Sequence, residues 1–397
     1  MNAQRPPLPR KMAVIVPAAF MTSLGIGMVS LGYIFVMKGV YGASATVVGW
    51  FGATWSMAYF VGCMALRRVT GRMVPRASMA VMLGGAAVVL GASILVHSPV
   101  AGFVGYAGFG FLCAFFWPPL MGWLSRGLER EELSRATSLF SLAWSTAGFL
   151  SPFLAGLLAE IDEFIPVAVA AVVFALNLVF VLVSRAIVVD PQETNGTGSE
   201  RRDEPVRPAQ DDSTPLRYPA WIGIFAIYAV MGIVFNIFPV YARDELGLSE
   251  SAIGLVLTVR AIATAAGFLF LGRTAFWHFR RRYIPALSLA AIALVALLAF
   301  QDNPLGFALC FGALGLVLAM VYNNSLFYGT SGAPDRDRRA TIHEALLTAG
   351  QVLGSISGGM LYQAFSLPVV FAALGLLLAA GLTVQIVMVV KRGPART

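Results

Sequence analysis

Long apolar runs separated by short polar segments make up most of the sequence. About 20 apolar residues in a helix cross the hydrocarbon core of a bilayer. The runs therefore predict twelve transmembrane helices in an all-α membrane protein. The predicted spans are 12–37, 45–66, 77–97, 101–124, 134–159 and 164–189 in the first half, and 219–242, 250–272, 283–300, 305–329, 340–363 and 366–390 in the second.

A polar, Pro- and Gly-containing segment at 190–218 interrupts the apolar runs midway along the chain. Such a composition is typical of a flexible linker. We therefore expect three parts: an N-terminal six-helix bundle at 1–189, a cytoplasmic linker at 190–218 and a C-terminal six-helix bundle at 219–397.

The composition excludes several classes of protein. Hydrophobic residues make up 58% of the 397 and charged residues only 12%, against about 25% charged in soluble domains. The three cysteines and three histidines show no ligand or CxxC spacing, so no metal or cofactor is expected. No cleavable signal peptide is expected, because the first apolar run is too long for one. No G-x4-G-K-[ST] motif for ATP is present.

Basic residues predict the orientation in the membrane. Of the 28 Lys and Arg, 25 fall in the two termini, the linker and the loops after spans two, four, eight and ten. Only Lys38 and Arg243 fall on the other side. Positive charge collects on the cytoplasmic side, so we expect a multi-pass protein of the cell (inner) membrane with both termini cytoplasmic. The net charge of +8 then reflects topology rather than nucleic-acid binding.

The two halves resemble each other at a shift of 205 residues. Matching positions open spans two and eight, precede spans four and ten, and recur within spans four and ten. Parallel repeats of this kind are typical of secondary transporters. The matches include Gly42-x-Ser44-x4-Gly49 with Gly247-x-Ser249-x4-Gly254, Pro99 with Pro304, and Gly110, Ala114 and Trp117 with Gly315, Ala319 and Tyr322.

Twelve spans, a polar central linker and the G-x-S-x4-G entry to span two together resemble the major facilitator superfamily. The basic loop after span two is similar to the family's cytoplasmic signature through Arg67, Arg68, Gly71 and Arg72, with Leu66 where the signature has aspartate. This resemblance implies two pseudo-symmetric six-helix bundles, alternating access and a gating role for that loop. It also implies that spans one, four, seven and ten line the central cavity.

Arg260 is the one cation inside a span, about ten residues from its start. A charge there costs at least ~2.5–3.5 kcal/mol and should face protein or a wet cavity. Guanidinium matches carboxylate and phosphate geometry, so Arg260 is a candidate anchor for an anionic solute. The alternative is a structural brace.

Glu344 is the one acid well inside a span, a turn or so from the cytoplasmic end of span eleven, with His343 beside it. Such a pair could exchange protons near neutral pH. The alternative is a helix-end acid paired with Arg338 or Arg339. With straight helices, Glu344 should lie roughly 14–15 Å closer to the cytoplasm than Arg260, which leaves Arg260 without an obvious protein partner.

Aromatic and amide side chains at equivalent places in spans four and ten are further candidates for solute contact. Trp117, Tyr322 and Asn323 lead this set, with core packing as the alternative. Trp55 stands at the repeat position of Arg260. Tyr33, Tyr228 and Asn236 are weaker candidates of the same kind. Asn177 in span six is expected to form a hydrogen bond between helices.

These features predict a monomeric secondary active transporter, not an enzyme, for a small organic solute with an anionic or hydrogen-bonding group. Transport would be coupled to an ion gradient, with protons as the candidate ion and uniport as the alternative. A rival interpretation is an exporter of amphipathic drugs or lipids, since spans 1–6 carry no mid-span charge.

Overall fold

The computed structural model describes residues 9–128, 130–189, 211, 213–333 and 336–391, and its regular elements are all helices. Most of the predicted linker (190–210) and the chain ends lie outside the described residues. The helices are α1 Met12–Phe35, continued by a π-helical turn at Val36–Val40, α2 Ala45–Thr70, α3 Pro75–Leu95, α4 Pro99–Cys113, α5 Trp117–Ser125, α6 Arg130–Ala159, α7 Ile165–Ile187, α8 Arg217–Asn236, α9 Phe238–Asp244, α10 Glu250–Gly272, α11 Tyr283–Leu298, α12 Pro304–Thr330, α13 Arg336–Ala364 and α14 Leu367–Lys391.

Two predicted spans are each broken into two helices at a proline. Span four is α4 and α5, with Pro118 in the first turn of α5. Span seven is α8 and α9, with Pro239 in the first turn of α9. Proline lacks the amide donor and clashes with the carbonyl four residues earlier, so a continuous helix cannot pass through it unchanged.

Length and composition agree with a membrane location. Within the described part of the chain, ten segments are long and apolar enough to cross a bilayer, and the apolar helix Tyr283–Leu298 is shorter. Helix α13 is not among these ten segments; five of its first nine residues are charged, and the rest is rich in Gly, Ser, Thr and Gln.

The chain forms two compact units. The first comprises Met1–Val36 and Met57–Glu204; in it, α1 packs along α6 and α7, and α3 packs on α4 and α7. The second comprises Met37–Ser56 and Pro205–Thr397; in it, α8 packs along α12, α13 and α14, and α10 packs on α12. We call these the N-terminal and C-terminal units.

The 205-residue repeat is visible in the packing of each unit. A Cβ atom at Gly62 would lie 3.2 Å from the Cβ of Ala114, and one at Gly267 would lie 2.7 Å from the Cβ of Ala319. Both pairs differ by 205 in number, so the same helix contact occurs once in each unit.

Loop conformations repeat in the same register. Gly42 and Gly247 have φ of 58° and 61°, and Gly127 and Gly332 have φ of 68° and 70°. Side-chain-bearing residues rarely adopt this left-handed conformation, which explains glycine at all four positions. The two halves are therefore structural copies and not merely similar in composition.

Residues of the α1–α2 connection belong to the C-terminal unit. Lys38 Nζ lies 2.5 Å from Asp244 Oδ2, and the amide of Ala45 donates to Gln363 Oε1 at 3.0 Å. A Cβ at Gly49 would lie 2.3 Å from the carbonyl oxygen of Ser355. Glycine at position 49 thus permits backbone contact between α2 and α13.

Candidate functional site

Arg260 lies ten residues into α10, about 15 Å from the start of the helix. Ser249 caps that helix by accepting a hydrogen bond from the amide of Ala252. The Arg260 side chain is 8% exposed, and its guanidinium carbon lies 4.5 Å from the ring centroid of Phe235 on α8. Arg260 therefore crosses from α10 to α8 inside the C-terminal unit.

Polar partners of the Arg260 guanidinium are absent among the residues that the structure describes. Its Nε has no hydrogen-bond partner, and no described carboxylate lies within the 4.0 Å of a salt bridge. A buried charge normally requires pairing to offset the loss of hydration. Contact with one aromatic face contributes about 2 kcal/mol when desolvated, so most of the hydrogen-bonding capacity of this group is open.

The backbone at Arg260 is held by close contact between α10 and α12. A Cβ at Gly315 would lie 2.4 Å from the carbonyl oxygen of Arg260. That oxygen also accepts a hydrogen bond from Thr264 Oγ1 at 2.9 Å. Small residues that allow such an approach are typical of membrane helix interfaces, and here they fix the position from which the arginine side chain extends.

Tyr228 connects the two charged candidates of the C-terminal unit. It lies two turns before Phe235 on α8, on the same face of the helix. The side chain is half-buried, and its hydroxyl interacts electrostatically with both Arg260 and Glu344. Arg260 on α10 and Glu344 on α13, which sequence reasoning treated separately, thus both have Tyr228 of α8 as a neighbour.

Glu344 lies deeper in its helix than the sequence predicted. Helix α13 begins at Arg336 rather than at 340, so Glu344 is eight residues, about 12 Å, from the helix start. Its side chain is exposed although it interacts electrostatically with Tyr228 on α8 and Tyr322 on α12. The Glu344 carboxylate is therefore accessible although two tyrosines of neighbouring helices are near it.

The alternative for Glu344 was a first-turn acid stabilised by the positive end of the helix, to which a salt bridge with Arg338 or Arg339 could add. Arg339 instead lies 3.0 Å from Asp211, near the end of the predicted linker. No described side chain forms an ion pair with Glu344.

His343 is buried beside the exposed glutamate, with 1% of its surface exposed. Its Nδ1 lies 2.8 Å from Ser325 Oγ, and its ring packs edge-on against Tyr322 with centroids 4.7 Å apart. Nε2 has no partner among the described residues. The imidazole therefore links α12 and α13 through one nitrogen and keeps the other available.

Tyr322 and Asn323 lie on α12 next to this group. The Tyr322 ring packs on Phe268 of α10 at 5.5 Å as well as on His343, and Asn323 is half-buried. The neighbouring Asn324 is 2% exposed, and neither its amide nitrogen nor its oxygen has a described partner. The sequence analysis chose Asn323 as the candidate and missed Asn324. The only sequence signal for Asn324 is its spacing of three and four residues from Val321 and Tyr328, which places all three on the buried face of α12.

Asn236 and Trp55 also belong to the C-terminal unit. Asn236 is buried, and its Nδ2 donates to Ser355 Oγ at 2.7 Å and to the carbonyl of Gly232 at 3.0 Å. A Cβ at Gly52 on α2 would collide with the Asn236 side chain. Trp55 follows one turn later on α2 and is half-buried. The amide of Asn236 is thus engaged in packing between helices.

Trp117 and Tyr33 belong to the N-terminal unit and are not part of the Arg260 group. Tyr33 is 1% exposed, hydrogen-bonds Ser93 and packs on Tyr106 at 5.5 Å. Trp117 is half-buried at the start of α5 and packs edge-on against Phe140 at 6.3 Å. These contacts give Tyr33 a role in helix packing.

Arg67 and Arg68 lie in the last turn of α2 rather than in the predicted loop, and Arg72 follows the helix. All three are exposed, and the amide of Gly71 donates to the carbonyl of Arg67 at 3.1 Å. Their gating role stays a prediction.

Arg76, which the sequence placed in the same loop, is instead 1% exposed. Its Nη2 donates to the carbonyl of Val188 at 2.7 Å, and its guanidinium lies 4.9 Å from the Trp123 ring. Lys11 binds the carbonyls of Trp123 and Arg126 at 2.9 and 2.5 Å. Because carbonyl groups are left unpaired at helix C-termini, these two cations complete helix ends of the N-terminal unit.

In the described part of the chain, no three His, Cys, Asp or Glu side chains are close enough to bind one ion. The functional groups around Tyr228 are the guanidinium of Arg260, the carboxylate of Glu344 and the tyrosine hydroxyl. They can bind ionic groups of a solute and take up a proton at a carboxylate.

Comparison with known protein families gives a match over most of the chain. The family model for the major facilitator superfamily matches residues 15–334 and again 220–397. The chain belongs to the major facilitator superfamily. Residues 220–334 are included in both matches, as expected when the two halves of a protein repeat. The family is one of membrane transporters, so the protein is a transporter and not an enzyme.

Solved structures of transporters share this fold at low sequence identity. A POT family transporter in complex with a thioalcohol-conjugated peptide is 13% identical, with a TM-score of 0.76 over 98% of this chain and 99% of that one. The nucleoside transporter NupG is 14% identical, with a TM-score of 0.72 over 96% and 99%. A bacterial homolog of the human lysosomal transporter Spinster is 13% identical, with a TM-score of 0.70 over 96% and 95%. A search of curated proteins gave no significant match.

Proposed function

We propose that this transporter moves a small organic solute with an anionic group by alternating access, and that Arg260 binds the anionic group. The observation that carries the proposal is the buried guanidinium of Arg260, which has no described carboxylate partner. A carboxylate or phosphate of a solute would supply two charge-assisted hydrogen bonds. Tyr228 is the neighbouring group that could donate or accept a further hydrogen bond, and Tyr322 and Asn323 on α12 are the next candidates for contact with the solute.

Glu344 is the proposed coupling residue, with His343 as its neighbour. Its carboxylate is accessible and has no ion-pair partner among the described side chains, so it is free to bind and release a proton as the transporter changes conformation. His343 is fixed by Ser325 and Tyr322, which keeps the adjacent turn of α13 in place. The proposed energy source is therefore a proton gradient.

We further propose that the protein acts as a monomer in the cell (inner) membrane with both termini in the cytoplasm. The support is the distribution of Lys and Arg over the connecting segments.

Purified protein screened by thermal shift against organic anions, followed by flux into liposomes, tests the proposal. Arg260→Gln should abolish the shift given by any hit without unfolding the protein. Arg76→Gln is the matched control, because Arg76 is also a buried arginine, and its Nη2 donates to a backbone carbonyl. It should lower the melting temperature and leave solute affinity unchanged.

Three outcomes would contradict parts of this proposal. Solute affinity unchanged in Arg260→Gln, with a loss of melting temperature like that of Arg76→Gln, would make Arg260 a brace. Accumulation unchanged in Glu344→Gln would exclude Glu344 from coupling. Substrates that partition from the membrane and share no charged group would favour export of amphipathic compounds.

A further inference from the structure

Two opposite charges near Tyr228 are left unpaired in the C-terminal unit. The Tyr228 hydroxyl interacts electrostatically with the guanidinium of Arg260 and the carboxylate of Glu344. Arg260 and Glu344 do not form an ion pair with each other or with any other side chain in the described ranges. A cation site and an anion site thus remain available around one tyrosine.

Helix geometry directs Glu344 toward α8, the helix that carries Tyr228. Gln351 and Ser355 lie seven and eleven residues after Glu344, on the same side of α13. A Cβ at Gly232 of α8 would lie 2.4 Å from the carbonyl oxygen of Gln351, and Ser355 hydrogen-bonds Asn236 of α8. The side of α13 that packs on α8 is therefore the side that bears Glu344.

Arg260 approaches a neighbouring side of α8 from α10. Its guanidinium lies over Phe235, which is on the same side of α8 as Tyr228. Gln351 packs at Gly232 and Ser355 at Asn236, so α13 and α8 run in the same direction and Glu344 lies toward the start of α8. Arg260 lies toward its end, and Tyr228 lies between these two levels.

We infer that the solute is a zwitterion, whose anionic group binds Arg260 and whose cationic ammonium group binds Glu344. This inference rests on the proposed role of Arg260 and adds the second charge. A solute with a single negative charge would satisfy Arg260 and leave Glu344 without a partner. A zwitterion satisfies both groups, and the Tyr228 hydroxyl lies where it can bond to either end. Because a proton and an ammonium group cannot occupy Glu344 together, the solute and the proton compete for one carboxylate.

Binding of matched probes to the full-length purified protein tests the inference. The probes are γ-aminobutyrate, ε-aminocaproate and dialanine, each compared with a form whose amine is acetylated and a form whose carboxylate is amidated. Acetylation removes the cation and amidation removes the anion, while the skeleton is retained. Affinity is measured by thermal shift and by competition, for wild type and for Arg260→Gln and Glu344→Gln.

The expected result is that at least one zwitterion binds wild type about 10- to 100-fold more tightly than either blocked form, since a hydrogen bond to a charged group contributes a factor of this order. Glu344→Gln should then bind the zwitterion and its acetylated form equally. Arg260→Gln should bind the zwitterion and its amidated form equally. Arg243→Gln and Glu250→Gln are controls, because these residues pair with each other at 3.0 Å near the start of α10, and both variants should keep the wild-type preference.

Each other outcome has a definite meaning. If the acetylated form binds wild type as tightly as the zwitterion and both depend on Arg260, the zwitterion inference fails and the anion proposal stands. If binding of every probe is insensitive to Arg260→Gln, both fail. If no probe binds, the inference is overturned, and the wider anion screen alone decides the proposed function.

Discussion

Contact between α8 and α13 depends on glycine at position 354. A Cβ built there would lie 1.9 Å from the carbonyl oxygen of Ala229 and 2.6 Å from its carbonyl carbon. Ordinary van der Waals contact begins at 3.4 Å, so Gly354→Ala requires the two helices to separate by about 1.5 Å. Both contacting atoms belong to backbones, and no change of rotamer can relieve the overlap.

The expected cost follows from that rigidity. Extra methylene groups in packed cores cost about 1–3 kcal/mol when side chains can adjust, and this site should reach about 3 kcal/mol. Alanine recovers at most about 1 kcal/mol of helix propensity over glycine, which leaves a net loss of about 2 kcal/mol. Separation of α8 from α13 also moves Glu344 away from Tyr228, so solute binding should weaken as well.

Melting of the purified variants, compared with Gly375→Ala, measures this effect. Gly375 lies on α14, and a Cβ there would have no atom within 4 Å. Gly375→Ala should therefore melt at or above the temperature of wild type, and Gly354→Ala clearly below it. Equal melting temperatures for the two variants would refute the argument, because they would show that α8 and α13 are not in backbone contact.

Three further predictions concern charge and topology. Hydrogen bonds from Ser213, followed by the charges of Arg217 and Arg339, lower the pKa of Asp211. Its contribution to stability is then present above the ordinary pKa of 3.8 and is lost as the pH falls through the lowered value, so a melting series at acid pH should be flatter for Asp211→Asn. Removing the partly exposed ion pair of Lys38 with Asp244 should cost no more than about 1 kcal/mol, measured as a coupling energy in a double-mutant cycle. A single cysteine at position 200, in a chain without its three native cysteines, should be labelled only from the cytoplasmic side, and labelling from outside intact cells would reverse the predicted orientation.

Periodic and local features were predictable from the sequence because they depend on residues near each other in the chain. Apolar runs located the helices, and the 205-residue shift located the repeated glycines at 42 and 247. An amide in a transmembrane helix is expected to bond another helix, and Asn177 Nδ2 donates to Thr22 Oγ1 at 2.9 Å. The residue type predicted the bond, whereas its partner, 155 residues away, was not predictable from the sequence.

The depth of Glu344 was not predictable from the apolar pattern. The start of an apolar run marks the edge of the hydrocarbon core of the membrane. The helix itself begins earlier, because it includes the polar residues Arg338 and Arg339 before that edge. Helix α13 therefore begins at Arg336, one turn earlier than the apolar residues indicate. The grouping of Glu344 with Tyr228 and Tyr322 also depends on which helices pack together, and spacing along the chain carries little of that information.

Two of the buried arginines, Arg76 and Arg260, illustrate why burial alone does not identify a solute anchor. Arg76 was assigned to a loop from the sequence, yet it is more buried than Arg260. Its Nη2 is bonded to the carbonyl of Val188 at 2.7 Å, so protein atoms compensate part of the lost hydration. Arg260 is also buried, and the Nε atoms of both arginines lack a described partner. The difference is that no described carbonyl accepts a hydrogen bond from the Arg260 guanidinium, whose described neighbour is the Phe235 ring. Whether a buried arginine is a structural brace or a solute anchor thus depends on whether the protein supplies hydrogen-bond acceptors for its guanidinium. The comparison of Arg260→Gln with Arg76→Gln tests this by experiment.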